Sequence, residues 1–379
     1  MYSFIFFDTL FVEILIIDTY NNTNRTNKPN KNWGVPFMNN KFTMTFGQVP
    51  SSYINRSYVS EKICGDFSLD FPLSHIYILS GVRGSGKTVL LTNVSKKMAA
   101  KKDWVVVDIN PNREILEQVA SGIYESENVK HLFLNASFSF SFHGFGFSIE
   151  GDVPVSNIKT ILEKMLNVLR KHNKKVLITI DEVSNNLHTR SFVHDFQSLL
   201  RNDYPVFALM TGLYENVNSL QNNKNLTFLY RAPKIDLGPL NMDLIKKEYA
   251  SIFPQENDKT IVDLAELTKG YAFAYQVVGY LFSKYGKIES MLEELDQYLA
   301  SYVYDKIWSV LPGKERVFLR NFKTVSITTE QIMNTGEFND KSYGVYRDRL
   351  IKRGLLNSPE HGIMSLVLPR FEVFISKQE

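Results

Sequence analysis

The sequence predicts an α/β phosphate-loop core with a parallel sheet, then a small all-helical domain, then a winged helix-turn-helix. Three observations carry this. Strand-like and helix-like runs alternate from Ile76 to Leu237, which implies a parallel sheet covered by helices on both faces. A glycine-rich loop, "GVRGSGKT", joins the first strand to the first helix after it. After Pro239 the strands stop, and helical periodicity runs to about residue 310.

Taken in order, "IYILS" (76–80) reads as a buried strand and Lys87 to about Ala99 as the helix after the loop. "WVVVDI" (104–109) is a second strand, closed by "NPN", with a helix beginning near Arg113. "FSFSFHGFGFSIEG" alternates Phe with small or polar residues and predicts a β-hairpin inserted near 138–151. A helix over about Ser156 to His172 places Ile158, Ile161, Leu162, Met165, Leu166 and Leu169 on one face. "VLITI" (176–180), "VFALM" (206–210) and "KIDL" (234–237) supply three more strands. The core therefore spans 46–240, the helical domain 241–310 and the C-terminal domain 311–379.

The bulk composition is that of a soluble globular chain of 379 residues, 44% hydrophobic and 22% charged. A net charge of +3 gives no reason to expect nonspecific nucleic-acid binding by the whole chain. One cysteine excludes an intramolecular disulfide framework and a four-cysteine zinc site, and fits a cytoplasmic location. The opening "MYSFIFFDTLFVEILII" is apolar but short for a membrane span. It contains Asp8 and Glu13, and an acid at the bilayer centre costs roughly 3 kcal/mol. Residues 1–45 read as an extension and polar linker outside the fold, with Met38 and Met44 as alternative starts and no membrane role.

The loop satisfies G-x-x-x-x-G-K-[ST] through Gly81, Gly86, Lys87 and Thr88, with a strand before it and a helix after it. Glycines let backbone N–H groups curl around a phosphate, and the helix N-terminus adds partial positive charge. Lys87 is the side chain for the β and γ phosphates, and the Thr88 hydroxyl is a ligand for Mg²⁺. Gly81, Arg83, Gly84, Ser85, Gly86, Lys87, Thr88 and Val89 are the candidate nucleotide-binding residues of this stretch.

"VLITIDEV" ends a buried strand on Asp181 and Glu182. Asp181 is expected to hold Mg²⁺ and Glu182 to polarise a water for attack on the γ-phosphate. In "VFALMTG" the strand is expected to end at Met210. Thr211 then either faces the same crevice and orients the attacking water, or caps a turn. Arg231 precedes the last strand, where it serves either as an arginine finger toward a neighbouring subunit or as a local salt bridge.

This set resembles the AAA+ ATPases: a phosphate loop, an Asp-Glu strand, a polar strand end, an arginine before the fifth strand, and a helical lid. Residues 46–376 are similar to the prokaryotic "archaeal ATPase" group, near the STAND switch ATPases and the origin-recognition-type initiators. The stretches that carry the resemblance are "YINR", "SGVRGSGKTVLL", "VLITIDEV", "LYRAPKIDLGPL", "TKGYAFAYQ" and the C-terminal winged-helix pattern. It implies a P-loop NTPase with a five-stranded sheet, the phosphate strand central and the polar strand beside it. It also implies ATP and Mg²⁺ as cofactors, ATP hydrolysis, and a nucleotide-dependent switch that can form a homo-oligomer. In "YINR", Arg56 matches a box that lies near the adenine, with Asn55 where glycine is expected. The lid motif reads Gly270-Tyr271-Ala272 without its proline, and "AFAYQVVGY" lacks the arginine of initiator lids, which implies slow turnover.

In the C-terminal domain, Thr328 or Thr329 caps a short helix, Gly336 ends it, and Asn339 or Asp340 caps the next. The second helix carries Tyr343, Tyr346, Leu350 and Ile351 inward, with Lys341, Arg347, Lys352 and Arg353 largely away from them. "GLLNSPEHGIMSLVLP" supplies the wing. Residues 301–379 hold twelve Lys/Arg against nine Asp/Glu, a thin charge for phosphate contacts. The domain is either a duplex-DNA reader or a packing module that faces protein. Two rival functions stay open: a DNA-binding regulator with nucleotide as a structural ligand, and a protein-binding scaffold that oligomerises on ATP.

Overall fold

The structure, a computed structural model, describes residues 41–44, 50–134, 139–143, 146–150, 158–224 and 226–378. These belong to one unit, Asn40–Glu379. The N-terminal stretch with Met38 lies outside the described residues, as do Gly144 and Phe145.

The core opens with helix α1 (Ser57–Phe67), strand β1 (Ile76–Ser80), α2 (Lys87–Ala99), β2 (Trp104–Ile109) and α3 (Ile115–Glu125). After the short α4 (Lys130–Leu134), the inserted hairpin pairs β3 (Ser139–His143) antiparallel with β4 (Gly146–Glu150). Then follow α5 (Ile158–Lys171), β5 (Lys175–Ile180), α6 (Leu187–Arg201), β6 (Val206–Gly212), α7 (Tyr214–Gln221), α8 (Thr227–Tyr230) and β7 (Lys234–Asp236). The five-stranded sheet runs β2-β5-β6-β1-β7, all parallel, so β1 with its phosphate loop lies inside the sheet and β6 lies beside it. The expected P-loop NTPase fold is thus present.

Strand alternation sorts the core onto two faces. Ile76, Ile78, Val176, Ile178, Ala208 and Met210 pack with α3, α5 and α6. Tyr77, Leu79, Leu177, Phe207 and Leu209 pack with α1 and α2. Burial on both faces explains why these strands read as continuous apolar runs.

The helical region contains α9 (Met242–Ile252), α10 (Asp258–Thr268), α11 (Ala272–Tyr285), α12 (Ile288–Leu299), a π turn (Ala300–Tyr304) and α13 (Asp305–Val310). Asn241 and Asn257 cap the first two through their side chains. The C-terminal region runs α14 (Gly313–Arg320), β8 (Ser326–Thr328), α15 (Thr329–Met333), α16 (Asp340–Lys352), β9 (Leu356–Glu360), β10 (Ile363–Leu366) and α17 (Phe371–Ile375). The antiparallel order β8-β10-β9 completes a winged helix. Thr328 and Asn339 each close a capping box, with Gln331 and Ser342.

Two expectations change here. The sequence suggests a seam near residue 310, but the lid and the winged helix share one hydrophobic core that runs from Leu240 to Ile375. Tyr304 sits at its centre, donating to the Pro369 carbonyl at 2.6 Å and packing edge-on against Phe371 and Phe374. The second change concerns residues read as linker. Phe42 is 3% exposed and packs on Tyr249, Phe253 and Tyr275 of the lid. Its ring occupies the space where a side chain on Gly279 would stand. Burying such a ring stabilises by roughly 1.5–3 kcal/mol, so the folded body includes residues before Met44. Around it, Gln276 accepts from the Thr43 N–H at 3.1 Å and donates to the Ser52 carbonyl at 2.7 Å. Residues 41–44 and Ser52 are therefore tied to α11.

Candidate functional site

Parallel strands place all their C-terminal ends on one edge of the sheet, and a cavity of about 270 Å³ opens there between core and lid. Loop residues from Arg83 to Val89 form its floor, and Asp181 and Glu182 form one wall. Tyr53, Ile54, Leu240 and Tyr275 give the far end an apolar lining. Arg56 also lines it, and donates to the Gly238 carbonyl at 2.6 Å and the Ser85 carbonyl at 3.3 Å. Asn55, beside it, accepts from Asn93 at 3.0 Å.

The loop conformation requires glycine at two positions. Gly84 and Gly86 have φ of +74° and +89°, and Gly86 is the N-cap of α2. This turns the loop amides and the helix N-terminus toward the cavity, as an anion site needs. Lys87 is 8% exposed, and its ammonium donates to the carbonyls of Gly81 at 3.0 Å and Val82 at 2.8 Å. Burial pushes its pKa down to about 8, against the opposing pull of Asp181 and Glu182. An anion in the cavity would relieve that cost.

Asp181 is the hub of the opposite wall. Its carboxylate accepts from the Thr88 hydroxyl at 2.7 Å, from the Thr211 hydroxyl, and from the Glu182 N–H at 3.1 Å. Thr88 and Asp181 thus present hard oxygens side by side, the donor set Mg²⁺ prefers when a nucleotide and water complete its shell. Among the described residues no cluster of three or more His, Cys, Asp or Glu could hold a metal ion, so a metal here would depend on the nucleotide. Glu182 is exposed toward the cavity with φ of +54°, a left-handed conformation that costs a non-glycine residue on the order of 1 kcal/mol.

Three candidates sit differently from expectation. Strand β6 does not end at Met210 but continues through Gly212, so Thr211 is a fully buried strand residue rather than a turn residue. Its hydroxyl donates to Asp181 and accepts from the Glu182 N–H at 3.2 Å, so it holds the Asp181 carboxylate and the Glu182 backbone from a buried position. Gly81 lies outside the cavity wall and acts through its carbonyl on Lys87. Arg231 is exposed at the C-cap of α8, outside this chain's cavity.

Contacts that sequence reasoning missed tie the loop to the rest of the chain. Tyr271, in the lid motif that lacks its proline, is buried and donates its hydroxyl to the Arg83 carbonyl at 2.5 Å. The Phe273 N–H donates to the Gly84 carbonyl at 3.1 Å. From the other side, Gly354 follows α16 so closely that a side chain there would meet Val82 at 2.9 Å. Arg353 forms ion pairs with Glu215 of α7 and, at 2.9 Å, with the buried Glu315 of α14. A second cavity, of about 520 Å³, separates the back of the loop from the lid and the winged helix. The motif "TKGYAFAYQ" signalled a lid, but not that Tyr271 grips the loop.

Comparison with known proteins adds partial matches. Residues 301–375 match a family model described as "Domain of unknown function (DUF8462)". Residues 74–136 match one described as "Mitochondrial ribosomal death-associated protein 3". No curated protein matches the chain. Among solved structures, Cdc6p from Pyrobaculum aerophilum is 15% identical, covers 88% of this chain and 96% of its own, and has a TM-score of 0.45. The ORC2 protein of Aeropyrum pernix is 14% identical, with 84% and 90% covered and a TM-score of 0.47. A STAND protein with a tetratricopeptide repeat sensor from Pyrococcus horikoshii is 12% identical, with a TM-score of 0.39; 91% of this chain and 45% of that one are covered. At 12–15% identity these likenesses concern the fold alone.

Proposed function

We propose that this chain binds ATP with Mg²⁺, hydrolyses it slowly, and uses the nucleotide state to set how the lid and winged helix sit on the phosphate loop. The observation that carries this is the convergence on one cavity of the buried Lys87, the Thr88–Asp181 hydrogen bond and the exposed Glu182. The proposal reads residues 46–240 as the core, 241–310 as the lid and 311–379 as the winged helix, acting in the cytoplasm.

In this reading the loop amides and Lys87 bind the β and γ phosphates, and the adenine lies against Tyr53, Ile54 and Tyr275 with Arg56 at its edge. Thr88 and Asp181 would hold Mg²⁺, which when bound supplies charge neutralisation at the phosphates. Glu182 accepts the proton of the attacking water, and Thr211 positions Asp181 and the Glu182 backbone. Arg231 remains free to act on a neighbouring subunit if the chain oligomerises. No arginine of the lid helix reaches the cavity, which is the physical reason for slow turnover.

The winged helix is better suited to intramolecular packing than to DNA. Arg347 is held by its neighbour Asp348 at 2.8 Å, and Arg353 is spent on Glu215 and Glu315. Steady-state release of phosphate from ATP tests the reading. Turnover should require Mg²⁺, and it should remain unchanged when duplex DNA is added. Turnover that persists with excess chelator, or no ATP binding at all, contradicts it.

A further inference from the structure

The nucleotide cavity occupies one edge of the sheet, and the opposite edge carries an unexplained surface. Because the strands are parallel, the segments leading into β1, β2, β5 and β6 all emerge on that second edge. The segment before β1 is "SLDFPLS", and its three large apolar side chains point into water. Leu69 is 54% exposed, Phe71 92% and Leu73 82%. The loop is not loose. The Asp66 carboxylate accepts from the Leu73 N–H at 2.7 Å, the Ser74 N–H at 3.2 Å and the Tyr77 hydroxyl at 2.9 Å. Pro72 stiffens its tip.

Lysines frame it. Lys101 donates to Ser68 at the base of the loop, and Lys175 donates to the Leu69 carbonyl at 3.5 Å. Lys174 donates to the Lys102 carbonyl at 2.7 Å, which joins the neighbouring segments. Segments 66–75, 100–104, 170–175 and 201–205 together hold seven Lys/Arg and four Asp. Of the acids, Asp66 is consumed by the loop backbone, leaving Asp70, Asp103 and Asp203 to oppose the cations.

We propose that this edge docks on an anionic lipid surface, with Phe71 and its two leucines entering the headgroup–acyl boundary and the lysines lying on the headgroups. A rigid apolar prong within a basic rim fits an interface that is apolar in depth and negative at its surface. A protein partner is the weaker fit, because a stable protein interface takes about 800 Å² from each side and one five-residue prong falls well short. The attachment is peripheral: among the described residues no helix is long and apolar enough to cross a membrane. It revises the expectation of no membrane role, and it leaves the nucleotide cavity facing away from the bilayer. The proposal stands independently of the nucleotide reading.

The test uses the full chain with vesicles of phosphatidylcholine alone or mixed with phosphatidylserine. Phe71→Cys, labelled with an environment-sensitive fluorophore, reports on the loop itself, since the native Cys64 is buried. A blue shift on phosphatidylserine vesicles that is absent on phosphatidylcholine is the expected result. The double variant Phe71→Asp with Leu73→Asp should weaken vesicle binding about tenfold or more while leaving the thermal melt and ATP turnover unchanged. Three results would overturn the proposal: no binding to anionic vesicles, binding that the double variant leaves intact, or a dimer of the chain that the double variant dissociates.

Discussion

Replacing Lys87 with methionine should abolish nucleotide binding and at the same time make the nucleotide-free protein more stable. The side chain is buried, and its ammonium meets two carbonyls instead of a carboxylate. Its pKa falls from an ordinary 10.5 to about 8, which corresponds to a penalty of about 3 kcal/mol for carrying the charge in the fold. The sign follows from proton counting. Below pH 8 both folded and unfolded chains carry the proton, so the penalty is present in full. Between 8 and 10.5 the unfolded chain binds more protons, so stability rises with pH. Methionine keeps the volume and removes the charge, so the expected gain at neutral pH is roughly 1–3 kcal/mol, read by denaturant unfolding. The same change removes the charge-assisted contacts to phosphate, and ATP affinity measured by calorimetry should fall at least about 100-fold. A variant that is both less stable and still competent to bind would contradict the assignment.

Glu182→Gln should leave ATP binding within about a factor of two and lower turnover by about 100-fold or more. The glutamine keeps the shape and the Glu182 N–H bond to Thr211 but cannot take a proton. The left-handed backbone is equally available to glutamine, so the fold should be unaffected. Equal phosphate release by wild type and variant would assign the base to another group. Asp181 is not a substitute in such a comparison. It accepts three hydrogen bonds, and removing its charge would disturb Thr88 and Thr211 together.

The parts of this molecule that were legible in the sequence are those governed by local chemistry. β1, β2, β5 and β6 are buried on both faces and therefore appear as apolar runs. The phosphate loop was readable because the positive φ values of Gly84 and Gly86 favour glycine, which leaves a glycine pattern in the sequence. Where reading failed, a distant partner decided the outcome. Thr211-Gly212 resembles a strand end, yet parallel pairing with Leu79 and Ser80 carries the strand through both residues. Phe42 follows a polar tract that looks like linker, and its burial depends on the missing side chain of Gly279. β8 is three residues long and has no periodicity to detect. The grip of Tyr271 on Arg83, and of Arg353 on Glu215, joins residues with no sequence relationship.

The Tyr271–Arg83 hydrogen bond and the close approach of Gly354 to Val82 make the phosphate loop the proposed joint between nucleotide, lid and winged helix. The most direct measurement is amide hydrogen exchange at residues 271–273 and 354–356, compared between ADP and a non-hydrolysable ATP analogue. Exchange at both segments is expected to differ between the two nucleotides, and the difference should disappear in Lys87→Met. Identical exchange at 354–356 with either nucleotide, while 271–273 responds, would contradict that joint.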